Sequence, residues 1–316
     1  MQTRPLGGTG FAIAPLVLGG NVFGWTADAR TSFALLDAFV DAGLNAIDTA
    51  DAYALWAPGN SGGESETIIG DWLAANPGKR DQVVIITKVG SEMGPGRKGL
   101  SARWIAQAVE DSLRRLRVDA IDVYLSHWPD PKTPVAETLG AYQRLLDAGK
   151  IRSIGASNLD AGQLAEALKL AEEEKLPRYE VLQPGYNLCD RSGLEGPLLD
   201  LCREKRLGVV TYYSLARGFL TGKYRALADL EQSPRGGGIA GYLGPRGFAI
   251  LGALDTVAMR HAAAPAEVAL AWIIARPGIT APIASATSVE QLASLIRATE
   301  LRLDPEDIAM LDGAST

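Results

Sequence analysis

Eight short apolar runs, separated by segments of helical spacing, set the narrowest limit on how this 316-residue chain can fold. The runs are residues 16–20, 44–48, 83–88, 121–127, 151–156, 181–183, 208–212 and 281–284. Between the first two, residues 31–42 place Phe33, Leu36, Phe39 and Val40 on one helical face, and Gly43 follows as a C-terminal cap. Helices are expected likewise at 64–75, 101–116, 134–148, 160–174, 197–205, 265–275 and 288–298. Short strands alternating with helices imply βαβ units and a parallel sheet. Eight such units favour a closed (β/α)8 barrel of the α/β class over an open doubly wound sheet.

The segment before the first run, residues 3–18, holds Gly7, Gly8 and Gly10 between two extended pieces. It is expected to form a β-hairpin that plugs the N-terminal end of the barrel. Two stretches stand outside the alternation. Residues 54–63 are rich in Gly, Pro and Asn and carry Trp56, and residues 225–249 form a long glycine-rich loop. With no linker or repeat in view, residues 1–316 are expected to be one barrel domain.

Apolar residues make up 47% of the chain, enough for a full core. The net charge, 31 − 37 = −6, argues against a general nucleic-acid surface. Two cysteines, Cys189 and Cys202, are too few for a disulfide framework, and with two histidines they make no zinc constellation. No apolar run reaches the ~18 residues of a spanning helix, and residues 2–5 lack the apolar stretch of a secretory signal. A cytoplasmic protein with no membrane or nucleic-acid partner is expected; oligomeric state is not legible.

The chemistry gathers at the strand ends. Asp48, Lys88, His127 and Gln183 each close an apolar run, and Tyr53 follows Asp48 by five residues. Strands that each deliver one polar side chain at the C-terminal end are how a barrel of this kind builds an active site. Singly, each residue has an ordinary explanation: Asp48 a cap, Tyr53 packing, Lys88 a surface charge. His261, in an alanine-rich segment, reads as structural or solvated.

Six motifs in order sharpen the reading: D-T-A-x-x-Y (48–53), T-K (87–88), S-H-W-P-D (126–130), G-A-S-N (155–158), Q-P-G-Y-N (183–187) and G-F-L-T-G-K-Y (218–224). In this set the chain resembles the aldo-keto reductases over nearly its whole length. The resemblance implies reversible reduction of an aldehyde or ketone to an alcohol by hydride from a nicotinamide dinucleotide. Tyr53 would be the general acid, Lys88 an ammonium lowering its pKa, Asp48 the partner that keeps Lys88 charged, and neutral His127 a donor to the substrate carbonyl.

The same resemblance places the cofactor. Ser157, Asn158 and Gln183 would hold the nicotinamide carboxamide. Tyr212, chosen over the adjacent Tyr213 by counting back from Gly218, would stack on the ring. Ser214, Leu215, Arg217 and Lys223 would follow the pyrophosphate, and Ser285, Thr287 and Gln291 the adenosine end. NADP(H) is the first expectation. Thr287 stands where many relatives carry arginine, so NAD(H) use is expected as well. Phe23, Trp25, Trp56 and Trp128 are expected to form an aromatic substrate wall. Two other classes fit parts of the pattern: a barrel lyase or aldolase with Lys88 as a Schiff base, and a non-catalytic NADP(H)-binding regulator.

Overall fold

The computed structural model describes residues 2–233 and 236–316. Strands β1 (Arg4–Pro5) and β2 (Ala12–Ile13) pair antiparallel as the expected hairpin. The barrel strands are β3 (Val17–Gly19), β4 (Ala46–Asp48), β5 (Val84–Val89), β6 (Ile121–Ser126), β7 (Ile151–Ser157), β8 (Val181–Gln183), β9 (Gly208–Thr211) and β10 (Ala281–Ala284). They close in the order β10-β3-β4-β5-β6-β7-β8-β9, every pair parallel.

The helices are α1 (Ala29–Asp41), α2 (Glu64–Ala75), α3 (Ala102–Leu116), α4 (Val135–Asp147), α5 (Ala161–Glu173), α6 (Pro197–Glu204), α7 (Pro245–His261), α8 (Pro265–Ile274), α9 (Val289–Arg297) and α10 (Pro305–Ala314). None of these is by itself long and apolar enough to cross a membrane. Their starts follow from local chemistry: the Ser101 hydroxyl accepts from Trp104 N at α3, and Asp160 and Gln163 close a reciprocal capping box at α5.

Two cores follow from the period of two along a strand. Outward residues such as Leu18, Ile47, Ile85, Tyr124, Leu182 and Val209 pack under the helices. Inward residues Val17, Ala46, Val84, Ile86, Val123, Leu125, Val181, Val210, Ala281 and Ile283 fill the barrel. Leu6 and Ile13 of the hairpin join this inner cluster, which is the expected plug. The fit is tight. Gly7 sits at φ +57°, and a Cβ there would lie 2.2 Å from the Glu180 carbonyl oxygen. At Gly155, inside the barrel, a Cβ would lie 2.4 Å from Leu125. Neither site has room for a side chain.

The inner row continues into the site. Moving two residues on from Ala46, Ile86, Leu125, Val181, Val210 and Ile283 gives Asp48, Lys88, His127, Gln183, Tyr212 and Ser285. The polar residues at the strand ends are therefore the top layer of the same inward-facing stack.

Two expectations are corrected. Residues 225–249 are not one irregular loop. They fold as short 3-10 turns at Leu227–Gln232, Gly236–Gly238 and Ala240–Tyr242, and α7 starts within them at Pro245. A proline in the first turn is pre-set for a helix, so G-P-R-G was a start signal and not a breaker. Pro234 and Arg235 of this stretch lie outside the described residues. Helix α10 was not anticipated either, although Asp304 caps it in a box with Asp307. His261 bonds Asp307 at 2.6 Å and ties α7 to α10, a structural role.

Candidate active site

Asp48 is the hub of the site. Its carboxylate accepts from Lys88 Nζ at 2.8 Å, from the Tyr53 hydroxyl at 3.1 Å and from Gln183 Nε2 at 2.8 Å. Lys88 is fully buried, and its three ammonium protons go to Asp48, the Thr49 carbonyl at 2.7 Å and the Tyr53 oxygen at 2.8 Å. The cation also lies 4.5 Å from the centre of the Tyr53 ring. His127 stands across from Tyr53, its ring edge-on at 6.0 Å and stacked on Trp128 at 5.9 Å. The four residues singled out in the sequence thus meet at one point.

The electrostatics correct one expectation. Burial, then the Asp48 carboxylate, hold the Tyr53 phenol well above the usual tyrosine range. The resting group is a protonated acid, its pKa raised on balance despite the adjacent Lys88 ammonium. Burial lowers the Lys88 ammonium, and Asp48, Asp51 and Glu66 oppose the fall. Burial and the Lys88 charge push His127 well below the usual histidine range, so its imidazole is neutral.

The four residues stand at one end of a cleft of about 710 Å³, with Lys88 behind the wall. Ser157, Asn158, Gln183, Tyr212, Ser214, Leu215, Arg217, Lys223, Ser285, Thr287 and Gln291 all line it. Several are already engaged. Ser157 Oγ donates to the Gln183 carbonyl at 2.7 Å. Asn158 Nδ2 donates to the His127 carbonyl at 2.9 Å, and its Oδ1 accepts from the Tyr212 hydroxyl at 2.6 Å. Asn158 holds φ +63°, a conformation asparagine tolerates, and the helix cap that follows is Asp160. Arg217 and Lys223 form no ion pair among the described residues; each lies over a tyrosine ring, Tyr213 at 4.5 Å and Tyr224 at 5.0 Å. At the far end Thr287 N and Oγ1 both donate to Gln291 Oε1, at 2.9 and 3.1 Å.

The aromatic wall divides. Trp56 and Trp128 line the cleft and are each 49% exposed. Phe23 does not belong with them: it is fully buried in the outer core, because the turn after β3 folds it back under the helices. Trp25 is also outside the cleft lining and packs edge-on against Trp56 at 5.8 Å.

The cleft also holds residues that strand-end reasoning passed over. Ser91, two residues beyond β5, bonds His127 Nδ1 at 3.0 Å. Tyr213 lines the cleft at φ +54°. Beneath the site Asp51 is 1% exposed, and among the described residues no side chain hydrogen-bonds to either of its carboxyl oxygens. Burial and Glu66 raise its carboxyl well above the usual range. An acid between apolar neighbours in D-T-A-D-A-Y was a visible signal for it.

A model of the aldo/keto reductase family matches residues 15–316. This chain belongs to that family. A Bacillus subtilis (strain 168) aldo-keto reductase, YhdN, is 35% identical over 92% of this chain and 85% of its own length. A probable voltage-gated potassium channel subunit beta from Oryza sativa subsp. japonica is 32% identical over 99% and 96%. An NADH-specific methylglyoxal reductase of Escherichia coli (strain K12) is 31% identical over 98% and 97%. Family membership supports an oxidoreductase acting on small carbonyl compounds with a nicotinamide cofactor.

Proposed function

We propose that this chain reversibly reduces an aldehyde or ketone to an alcohol, with Tyr53 as the general acid and base. The observation that carries the reading is the triple contact of the buried Lys88 with Asp48, Thr49 and Tyr53, behind the wall of the cleft that Asp48 and Tyr53 line.

The cleft suits a nicotinamide dinucleotide. Its volume falls in the range of small-molecule sites, roughly 300–1,000 Å³. Two cations that form no ion pair among the described residues, Arg217 and Lys223, line it and suit a pyrophosphate. Gln183, Asn158 and Ser157 would hold the carboxamide and Tyr212 the ring; Asn158 would first have to release the Tyr212 hydroxyl. Ser214 and Leu215 would follow the pyrophosphate, and Ser285, Thr287 and Gln291 the adenosine end. When bound, the cofactor supplies the hydride.

The residues of the chain manage the proton. In the resting site the Tyr53 hydroxyl points to Asp48. A carbonyl oxygen entering between Tyr53 and His127 would take the Tyr53 proton as it gains negative charge. Lys88, already donating to the Tyr53 oxygen, then stabilises the phenolate left behind. Asp48 keeps the ammonium paired, and neutral His127 donates to the carbonyl and fixes its direction.

Trp56 and Trp128 flank this point, so a carbonyl compound with an apolar or ring-shaped body is the expected substrate class. NADPH remains the expected donor by resemblance. Among the described residues the far end lined by Thr287, Gln291, Ser294 and Leu295 contributes no cation, so discrimination against NADH is expected to be small. A Schiff-base lyase is disfavoured, because a lysine whose three protons are all committed offers no free nucleophile.

The test is oxidation of NADPH and NADH across an aldehyde panel. Wild type should turn over with at least one pair, and Tyr53→Phe should lose about 10³-fold in rate while still binding dinucleotide. Full turnover in Tyr53→Phe overturns the reading. Tight dinucleotide binding with no turnover by wild type would move the chain to the class of regulators.

A further inference from the structure

We propose that Ser91 is a positioning residue that places the single imidazole proton of His127 on Nε2, the nitrogen left for a substrate oxygen. The inference deepens the carbonyl-reduction reading and rests on it for its functional meaning.

Two backbones set the geometry. Ser91 follows β5, the strand that delivers Lys88, after Gly90 at φ +117°. His127 follows β6, and its amide donates to the Val89 carbonyl at 2.8 Å. That bond holds the two strand ends in register and brings Ser91 Oγ to 3.0 Å from His127 Nδ1. Stacking on Trp128 and the edge contact with Tyr53 restrict the ring further. Among the described residues Nε2 has no protein partner, and both Ser91 and His127 line the cleft.

A neutral imidazole has one N–H, and the bond at one nitrogen decides the role of the other. The Ser91 hydroxyl makes no second hydrogen bond among the described residues, so it is free to rotate and donate to Nδ1. The proton then resides on Nε2, which can donate to a carbonyl oxygen. With the proton on Nδ1, Nε2 would present a lone pair and repel that oxygen. Lys88 and Tyr53 govern the acid, while Ser91 governs the second donor.

The histidine count makes the test clean. The chain has two histidines, so long-range 1H–15N imidazole spectra of the uniformly labelled full-length protein contain one site of interest and one internal control, His261. Wild type should show His127 as the Nε2–H tautomer. Ser91→Ala should shift it to a mixture or to Nδ1–H, leave the His261 signals in place, and lower kcat/KM for an aldehyde about tenfold with dinucleotide affinity unchanged. Ser91→Thr, which keeps a hydroxyl, should restore both readouts. The Nδ1–H tautomer in wild type overturns the proposal without any variant having to fold. So does a Ser91→Ala protein that keeps the Nε2–H form. The spectra do not depend on turnover. Tautomer control in a chain that reduces no carbonyl would uphold the role of Ser91 and overturn only the functional reading.

Discussion

The two ends of the cleft are built in opposite ways. At one end Asp48, Lys88, Tyr53 and Gln183 are locked by hydrogen bonds of 2.8–3.1 Å around one carboxylate, and Lys88 is wholly buried. Three of the four are the last inward residues of barrel strands. At the other end Thr287 and Gln291 bond mainly to each other, around the start of α9 that Ser288 caps. Their contacts are exposed and local in sequence. A strand-end side chain is held by eight strands closing on one another; a helix-start side chain is held by its own turn. Change should therefore be costly at the first end and cheap at the second.

The largest break should come at Lys88. Lys88→Met leaves Asp48 buried and without its main partner, which is expected to cost about 3–5 kcal/mol of stability. Turnover should fall about 10³-fold or more. Urea unfolding and steady-state rates check both. Adding Asp48→Asn should restore most of the stability and none of the rate. If the single variant is as stable as wild type, the two ends do not differ in the way described.

A smaller effect is expected at the far end. Thr287→Arg adds one charge-assisted donor near the start of α9, worth about 1.5–3 kcal/mol when it meets a phosphate. Fluorescence titration should show NADPH binding tightened about 10- to 100-fold relative to NADH, with kcat unchanged. Equal affinities in the variant would place the adenosine end elsewhere.

The smallest expected effect is an absence of change with pH. Reduction needs Tyr53 protonated and His127 neutral. Tyr53 is held well above the usual phenol range, so raising pH through neutrality removes no acid. His127 is held well below the usual imidazole range, so lowering pH toward about 6.5 adds no charge. kcat/KM for reduction should be flat between about 6.5 and 9, whereas alcohol oxidation, which needs the phenolate, should rise with pH. A reduction profile with an inflection near 7 or 8 would mean that Lys88 weakens the resting phenol after all.

The ease of reading each region in the sequence follows the same division. Asp48, Lys88, His127 and Gln183 were visible because each ends an apolar run, and the period of two points them inward with Ala46, Ile86, Leu125 and Val181. Phe23 and Trp25 had no such rule. They lie in the turn after β3, where nothing local says whether a ring faces the cleft or the core. Ser91 was passed over for the same reason, since its partner is 36 residues away. Helix α7 was hidden by glycines in its approach, and α10 by its lack of a strand to follow.

By itself the sequence determined the alternation, the closed barrel it favours, and the residues at the strand ends, because hydrophobic period and strand termination are local properties. Only the tertiary structure decided which protons those residues hold. Burial around Asp48 makes Tyr53 a stronger keeper of its proton than its neighbour Lys88 suggested. Desolvation and the contacts between separate strand ends are properties of the assembled barrel, and no single stretch of chain contains them.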